Sequence, residues 1–125
     1  MVRLLLICAG GAFGTGARYL ISVLAARVLG SDFPFGTLLV NLVGAFLIGF
    51  IQHVALSSAV MPLDLRLFLT VGILGGFTTY SAFSYEAVRM VHDGAWVQAI
   101  VYVGVTTVFA LALCGLGVLV GRRLG

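Results

Sequence analysis

Four long apolar stretches alternate with short turn-rich pieces along the chain, a pattern that predicts helices at roughly residues 3–28, 34–57, 65–90 and 95–120. Each stretch exceeds the ~20 apolar residues that a helix needs to cross the hydrocarbon core of a bilayer. The punctuation between them is Gly30-Ser31-Asp32-Phe33-Pro34, then Ser57-Ser58 through Pro62-Leu63-Asp64, then His92-Asp93-Gly94. Connections this short predict antiparallel neighbours and a single four-helix domain over residues 1–125, an all-α membrane protein. The start, with Arg3 ahead of an apolar run, imitates a secretory signal, but the run continues through Phe13 and Gly16 toward Ile21 and is read as the first transmembrane helix.

Composition strengthens that reading. The 125 residues are 62% hydrophobic and 9% charged, a balance suited to lipid as solvent and not to a water-exposed surface. The formal charge of +3 comes from arginines scattered over segment ends, which predicts anchoring at lipid headgroups and no nucleic-acid partner. With four crossings both termini share a side, so Arg3, Arg66, Arg122 and Arg123 oppose Arg27 and Arg89. That bias is weak for the positive-inside rule and leaves both insertion orientations physically open. Cys8 and Cys114 lack metal or redox spacing and read as small buried apolar residues. Seventeen glycines predict close helix approach, with small-residue faces at Gly10, Gly11, Gly14 and Gly16, at Gly36, Gly44 and Gly49, and at Gly104, Gly115 and Gly117. Four helices enclose little interior, so a selective aqueous path predicts a second copy.

The candidate chemistry is sparse and polar. Asn41, in the middle of the second segment, must face protein or water because an unsatisfied amide in lipid costs a few kcal/mol; a pore-lining role and a structural interhelical bond are equally open. The densest signal is Gly72-Ile-Leu-Gly75-Gly76-Phe77-Thr78-Thr79-Tyr80-Ser81-Ala82-Phe83-Ser84-Tyr85-Glu86. Paired glycines and threonines disfavour a continuous helix, and a break inside a bilayer exposes carbonyls able to bind a hard cation. Beyond it Tyr80 and Phe83 share a helical face, with hydroxyls from Ser81, Ser84 and Tyr85 nearby; ring edges can meet an anion, although core packing competes as an explanation. Tyr102, Thr106 and Thr107 give the last helix a hydroxyl-bearing stretch, against which stands back-bonding to its own carbonyls. Arg18 either snorkels to an interface or raises the potential at a pore entrance, and Glu86 pairs with an arginine or caps local charge. His53 and His92 read as interfacial residues. No nucleophile elbow, phosphate-binding loop or carboxylate pair is present, so no enzyme activity is expected.

Two of these stretches, Gly36-Thr37-Leu-Leu-Val-Asn41 and Gly75-Gly76-Phe-Thr78-Thr79-Tyr80-Ser81-Ala-Phe83-Ser84, together resemble the signature of the Fluc (CrcB) family of fluoride channels. The resemblance implies an antiparallel dual-topology homodimer in the cell inner membrane, with two fluoride pores and a third helix broken mid-membrane. It implies a structural sodium ion held by backbone carbonyls at Gly75 and Thr78 of each subunit. It also implies pore or anion-binding roles for Asn41, Tyr80, Phe83, Tyr102 and Thr106 and a vestibule role for Arg18, with Ser81 and Ser84 in the same track. Two departures stand out: Tyr80 replaces the more usual Phe, and Ala110 stands where the family carries a further hydroxyl. The rival expectation is a small dual-topology transporter of organic cations, which would need a membrane-embedded carboxylate; Glu86 is the candidate.

Overall fold

The computed structural model describes residues 1–57 and 61–124, and every element among them is helical. In chain order these are α1 (Val2–Leu29), α2 (Phe35–Ser57), α3 (Leu63–Leu67), a π-helical stretch Phe68–Leu74, α4 (Gly75–Phe77), α5 (Tyr80–His92) and α6 (Trp96–Leu124). Four spans are long and apolar enough to cross a membrane: Val2–Leu29, Phe35–Ser57, Leu63–His92 and Trp96–Leu124. Of the second predicted turn, residues 58–60 lie outside the described residues. The third span starts at Leu63, earlier than the apolar pattern suggested, because Pro62 sits in extended geometry just ahead of the helix, where its fixed φ and missing N–H cost nothing.

The two ends of the bundle are fastened by polar contacts. At one end Arg3 Nε donates to Asp64 Oδ1 at 2.7 Å, setting the start of α1 beside the start of α3. At the other, Gln98 Nε2 donates to the Asp32 carbonyl at 3.0 Å, tying the α1–α2 connection to the start of α6. Both are exposed, so their net stabilisation is small.

Between the ends, glycine decides the packing. In lipid no hydrophobic force pulls helices together, and close backbone approach supplies the dispersion that does. Gly10 and Gly14 of α1 face Gly72 and Ile73 of the third span, and Gly76 meets Gly11 and Thr15: a Cβ on Gly14 would fall on the Ile73 carbonyl, and one on Gly72 would stand 2.9 Å from the Ile7 carbonyl. A second seam joins α2 and α6, where a Cβ on Gly49 would meet the Cys114 carbonyl and one on Gly117 the Phe46 carbonyl. Gly36 packs on Ser22 and Gly44 on the Thr78 side chain. Gly16, Gly104 and Gly115, by contrast, face open space, so those members of the predicted small-residue faces make no contact within the chain. Val40, Leu74 and Phe77 form the buried core, flanked by Ile21, Leu47, Ile48 and Ile51. Long apolar side chains such as Leu5, Leu24, Val97 and Leu111 cover the outside, as a lipid-facing surface requires. Both cysteines are free; Cys8 is exposed on α1, not buried as expected.

Gly14→Val should destabilise the fold by about 1–3 kcal/mol through overpacking at this seam, whereas Gly104→Val should leave stability nearly unchanged. Thermal unfolding of the purified proteins in detergent would read the difference.

Candidate functional site

Halfway along the third span the helix lapses. Thr78 (φ −88°, ψ 155°) and Thr79 (φ −149°, ψ 112°) are extended, and helical geometry resumes at Tyr80. The interruption frees backbone groups that call for new partners, and the side chains of Arg18, Asn41 and Thr79 take several of them. Arg18 of α1 donates from Nε to the Gly76 carbonyl at 2.9 Å. The guanidinium therefore serves the C-terminal end of α4, where a cation also complements the helix dipole, and does not snorkel to an interface. Asn41 of α2 clamps Thr79 from both sides of its amide: Nδ2 donates to the Thr79 carbonyl at 3.1 Å, and Oδ1 accepts from the Thr79 N–H at 2.8 Å. Thr79 in turn caps α5, its Oγ1 accepting from the Ala82 N–H at 3.2 Å and lying 3.3 Å from the Ser81 hydroxyl.

The carbonyls of Gly75 and Thr78 are among those left over by this arrangement. In an unbroken helix the Gly75 carbonyl would accept from the Thr79 N–H and the Thr78 carbonyl from the Ala82 N–H. Asn41 has taken the first donor and the Thr79 hydroxyl the second. Gly75 and Thr78 border one groove of about 260 Å³ with Asn41, Gly44, Ala45, Ile48, Thr70 and Leu74. Gly75 is itself exposed on the single chain.

On the other side of Asn41 lies a groove of about 440 Å³ lined by Asn41, Thr78, Thr79, Tyr80, Phe83, Thr106, Thr107 and Ala110. The Thr106 hydroxyl is its unusual member. Thr106 is only 6% exposed, yet its Oγ1 has no partner among the described residues. Back-bonding is how other hydroxyls here are satisfied: Thr70 donates to Arg66, Thr78 to Leu74 and Ser84 to Tyr80, each to the carbonyl four residues earlier. Thr106 does not follow them, which removes the competing explanation for that residue. A buried hydroxyl without a partner costs about 1–3 kcal/mol, and the residue that carries it borders the groove. The N-terminal end of α5, with its outward N–H groups, borders the same space and favours negative charge.

Tyr80 is 81% exposed and Phe83 is buried, their rings 5.6 Å apart. Phe83 stacks on Tyr102 at 5.1 Å, and Tyr102 meets Phe33 edge-on at 5.3 Å. Tyr102 lines no open groove: it is fully buried, and its hydroxyl donates to Glu86 Oε1 at 2.9 Å. Thr37 donates to the other oxygen, Oε2, at 3.0 Å. Of the two expectations for Glu86, an arginine partner or a role in capping local charge, the ion pair is not formed among the described residues: its oxygens accept from two hydroxyls. Thr37 and Glu86 line a further groove of about 480 Å³ with Ser22, Phe33, Arg89 and Asp93, at the end of the bundle where α1 meets α2. Asn41, Tyr80, Phe83 and Thr106 are therefore brought together around one groove; Arg18 reaches the break from the opposite helix, Tyr102 lies behind Phe83, and Ser81 and Ser84 spend contacts on the break itself. Thr37 had no assigned role, although its spacing of four residues from Asn41 sets both on one face of α2.

The class defined here is an all-helical membrane protein of four spans, with extended residues at Thr78 and Thr79 and a groove beside them. The chain matches the family model described as CrcB-like protein, Camphor Resistance (CrcB), over residues 5–118, and it belongs to that family. A relative from Anaeromyxobacter dehalogenans is 53% identical over 112 residues, covering 90% of this chain and 89% of the relative. One from Citrifermentans bemidjiense is 46% identical over 124 residues, covering 99% and 100%. One from a Caulobacter strain is 42% identical over 125 residues, covering 99% and 98%. All three carry the name fluoride-specific ion channel FluC. The chain is a multi-pass membrane protein.

Because the Thr106 hydroxyl makes no protein hydrogen bond, Thr106→Val should leave unfolding stability unchanged or raise it by up to about 1 kcal/mol. Detergent melting curves of the two proteins would read this.

Proposed function

We propose that the chain is the subunit of a fluoride-selective passive channel in the cell inner membrane, exporting cytoplasmic fluoride and so relieving its toxicity. The observation that carries this reading is the helix interruption that brings the start of α5 to the groove bordered by Thr106, whose hydroxyl has no partner among the described residues, in a chain whose relatives bear the fluoride-channel name. Fluoride is small and strongly hydrated, so a narrow path must offer donors in place of water. Thr106 supplies a hydroxyl, the first turn of α5 supplies backbone N–H groups, and the Tyr80 and Phe83 ring edges supply weaker positive contacts. Hydrogen fluoride enters as a neutral weak acid and dissociates inside; the membrane potential then drives the anion out, so no coupling group is needed.

The functional unit in this reading is an antiparallel dual-topology homodimer with the interruption at mid-membrane depth. The exposure of Gly75 and Tyr80 halfway along a membrane span supports it, since lipid satisfies neither a free carbonyl nor a phenol, and a second copy would cover both. The carbonyls of Gly75 and Thr78, stripped of helical partners, fit a hard monovalent cation, and sodium is the ion the reading assigns to them. Bound there it would supply a buried positive charge that favours anions in the neighbouring groove. The organic-cation transporter is less well supported: Glu86, the carboxylate it requires, already accepts from Thr37 and Tyr102.

Liposomes reconstituted with the protein should release fluoride rapidly, measured with a fluoride electrode, and release little chloride; absence of fluoride release from folded protein would overturn the channel reading. Phe83→Ile should abolish the flux while the dimer still assembles, and normal flux would remove the aromatic-lined path. A Cβ at Gly75 meets nothing nearer than the Thr70 carbonyl at 3.8 Å. Gly75→Val should therefore spare the single subunit and impair sodium-dependent assembly. A sodium-independent dimer of that variant, judged by size-exclusion chromatography, would count against the cation site.

A further inference from the structure

In the family reading Asn41 is a pore-lining ligand for the anion. Its hydrogen bonds point elsewhere. The side-chain amide pairs with both backbone groups of Thr79, at 2.8 and 3.1 Å, as the backbone of a neighbouring β-strand would. One Nδ2–H is left over, so little of the amide remains free for an anion. The first of these bonds has a consequence for Gly75: the Thr79 N–H is the donor that the Gly75 carbonyl would recover if the helix closed over the break. Asn41 and Thr78 border both grooves, the one that includes Gly75 and the one that includes Phe83 and Thr106.

We propose that Asn41 is a positioning residue: by holding the Thr79 N–H it keeps the Gly75 carbonyl unpaired and so sets the affinity of the break for sodium. The inference rests on the sodium reading above. Without the amide, the Thr79 N–H returns to the Gly75 carbonyl, the helix extends across part of the break, and the cation loses a ligand. The sign of the effect is distinctive, because healing the helix satisfies two backbone groups at once. Loss of Asn41 therefore weakens the response to sodium without weakening the sodium-free protein to match.

The test is thermal unfolding of the purified dimer in detergent against sodium concentration, with choline chloride holding ionic strength constant. The natural protein should melt at rising temperature as sodium is added. Asn41→Ala should need about 10–100-fold more sodium for the same rise, as expected when a group that orients a metal ligand is removed. Asn41→Leu, which keeps the volume but lacks the amide, should behave alike. Asn41→Asp retains an oxygen to accept from the Thr79 N–H and should keep the sodium response. A natural sodium midpoint in Asn41→Ala and Asn41→Leu would overturn the inference, and so would an Asn41→Asp variant as unresponsive as Asn41→Ala. Failure of both the Ala and Leu variants to assemble at any sodium concentration would also overturn it, since the freed N–H would not then have been taken up by Gly75. A natural protein indifferent to sodium would instead fail the cation reading itself, and this inference with it.

Discussion

Thr78 and Thr79 leave the helix where water is scarce, and the backbone groups they release need partners from somewhere other than the chain's own next turn. Much of the molecule is organised by how that need is met. Arg18 comes across from α1 to the Gly76 carbonyl, Asn41 from α2 to both sides of Thr79, and the Thr79 hydroxyl to the first turn of α5. A charged residue and an amide deep in apolar helices are expensive unless paired; here the same interruption that frees the backbone supplies their partners. Among the groups left unserved, the Gly75 and Thr78 carbonyls border one groove and the buried Thr106 hydroxyl belongs to a residue that borders the other, with Asn41 lining both.

This division has an electrostatic sense. A half-helix ends in carbonyls and its successor begins with N–H groups, so a single break presents a negative and a positive terminus within a few residues. Gly75 and Thr78 border one groove, and the start of α5, at Thr79 and Tyr80, borders the groove containing Phe83 and Thr106. In the proposed channel, cation and anion preferences would both trace to this one piece of backbone, and no acidic residue among those described lines either groove.

The four spans were legible from hydropathy because lipid demands about twenty apolar residues in a row, and that demand leaves a plain mark on sequence. The clustering of Tyr80, Phe83, Asn41 and Thr106 was legible from motif spacing together with family resemblance. What the sequence hid were choices made by packing between segments. Gly44 and Gly104 look alike along the chain, yet one touches Thr78 and the other faces open space, since orientation depends on which helix lies opposite. The π-helical stretch Phe68–Leu74 carries no local signal, because its backbone lies against Gly10 of α1. For Glu86 the sequence leaves an arginine partner and local charge capping both open, whereas two hydroxyls, from Thr37 and Tyr102, lie within reach on neighbouring helices. Thr37 was visible only as the residue one turn before Asn41.

The glycine seams join non-consecutive spans: the first packs on the third and the second on the last. A ribosome delivers these spans to the bilayer in numerical order. The opening pair is therefore inserted before either glycine seam can close, and an α1–α2 hairpin has only the approach of Gly36 to Ser22 to hold it. Maturation is accordingly a late event: the first seam waits for the third span and the second for α6, so truncation within the last helix leaves α2 without its seam partner even though three spans are already in the membrane.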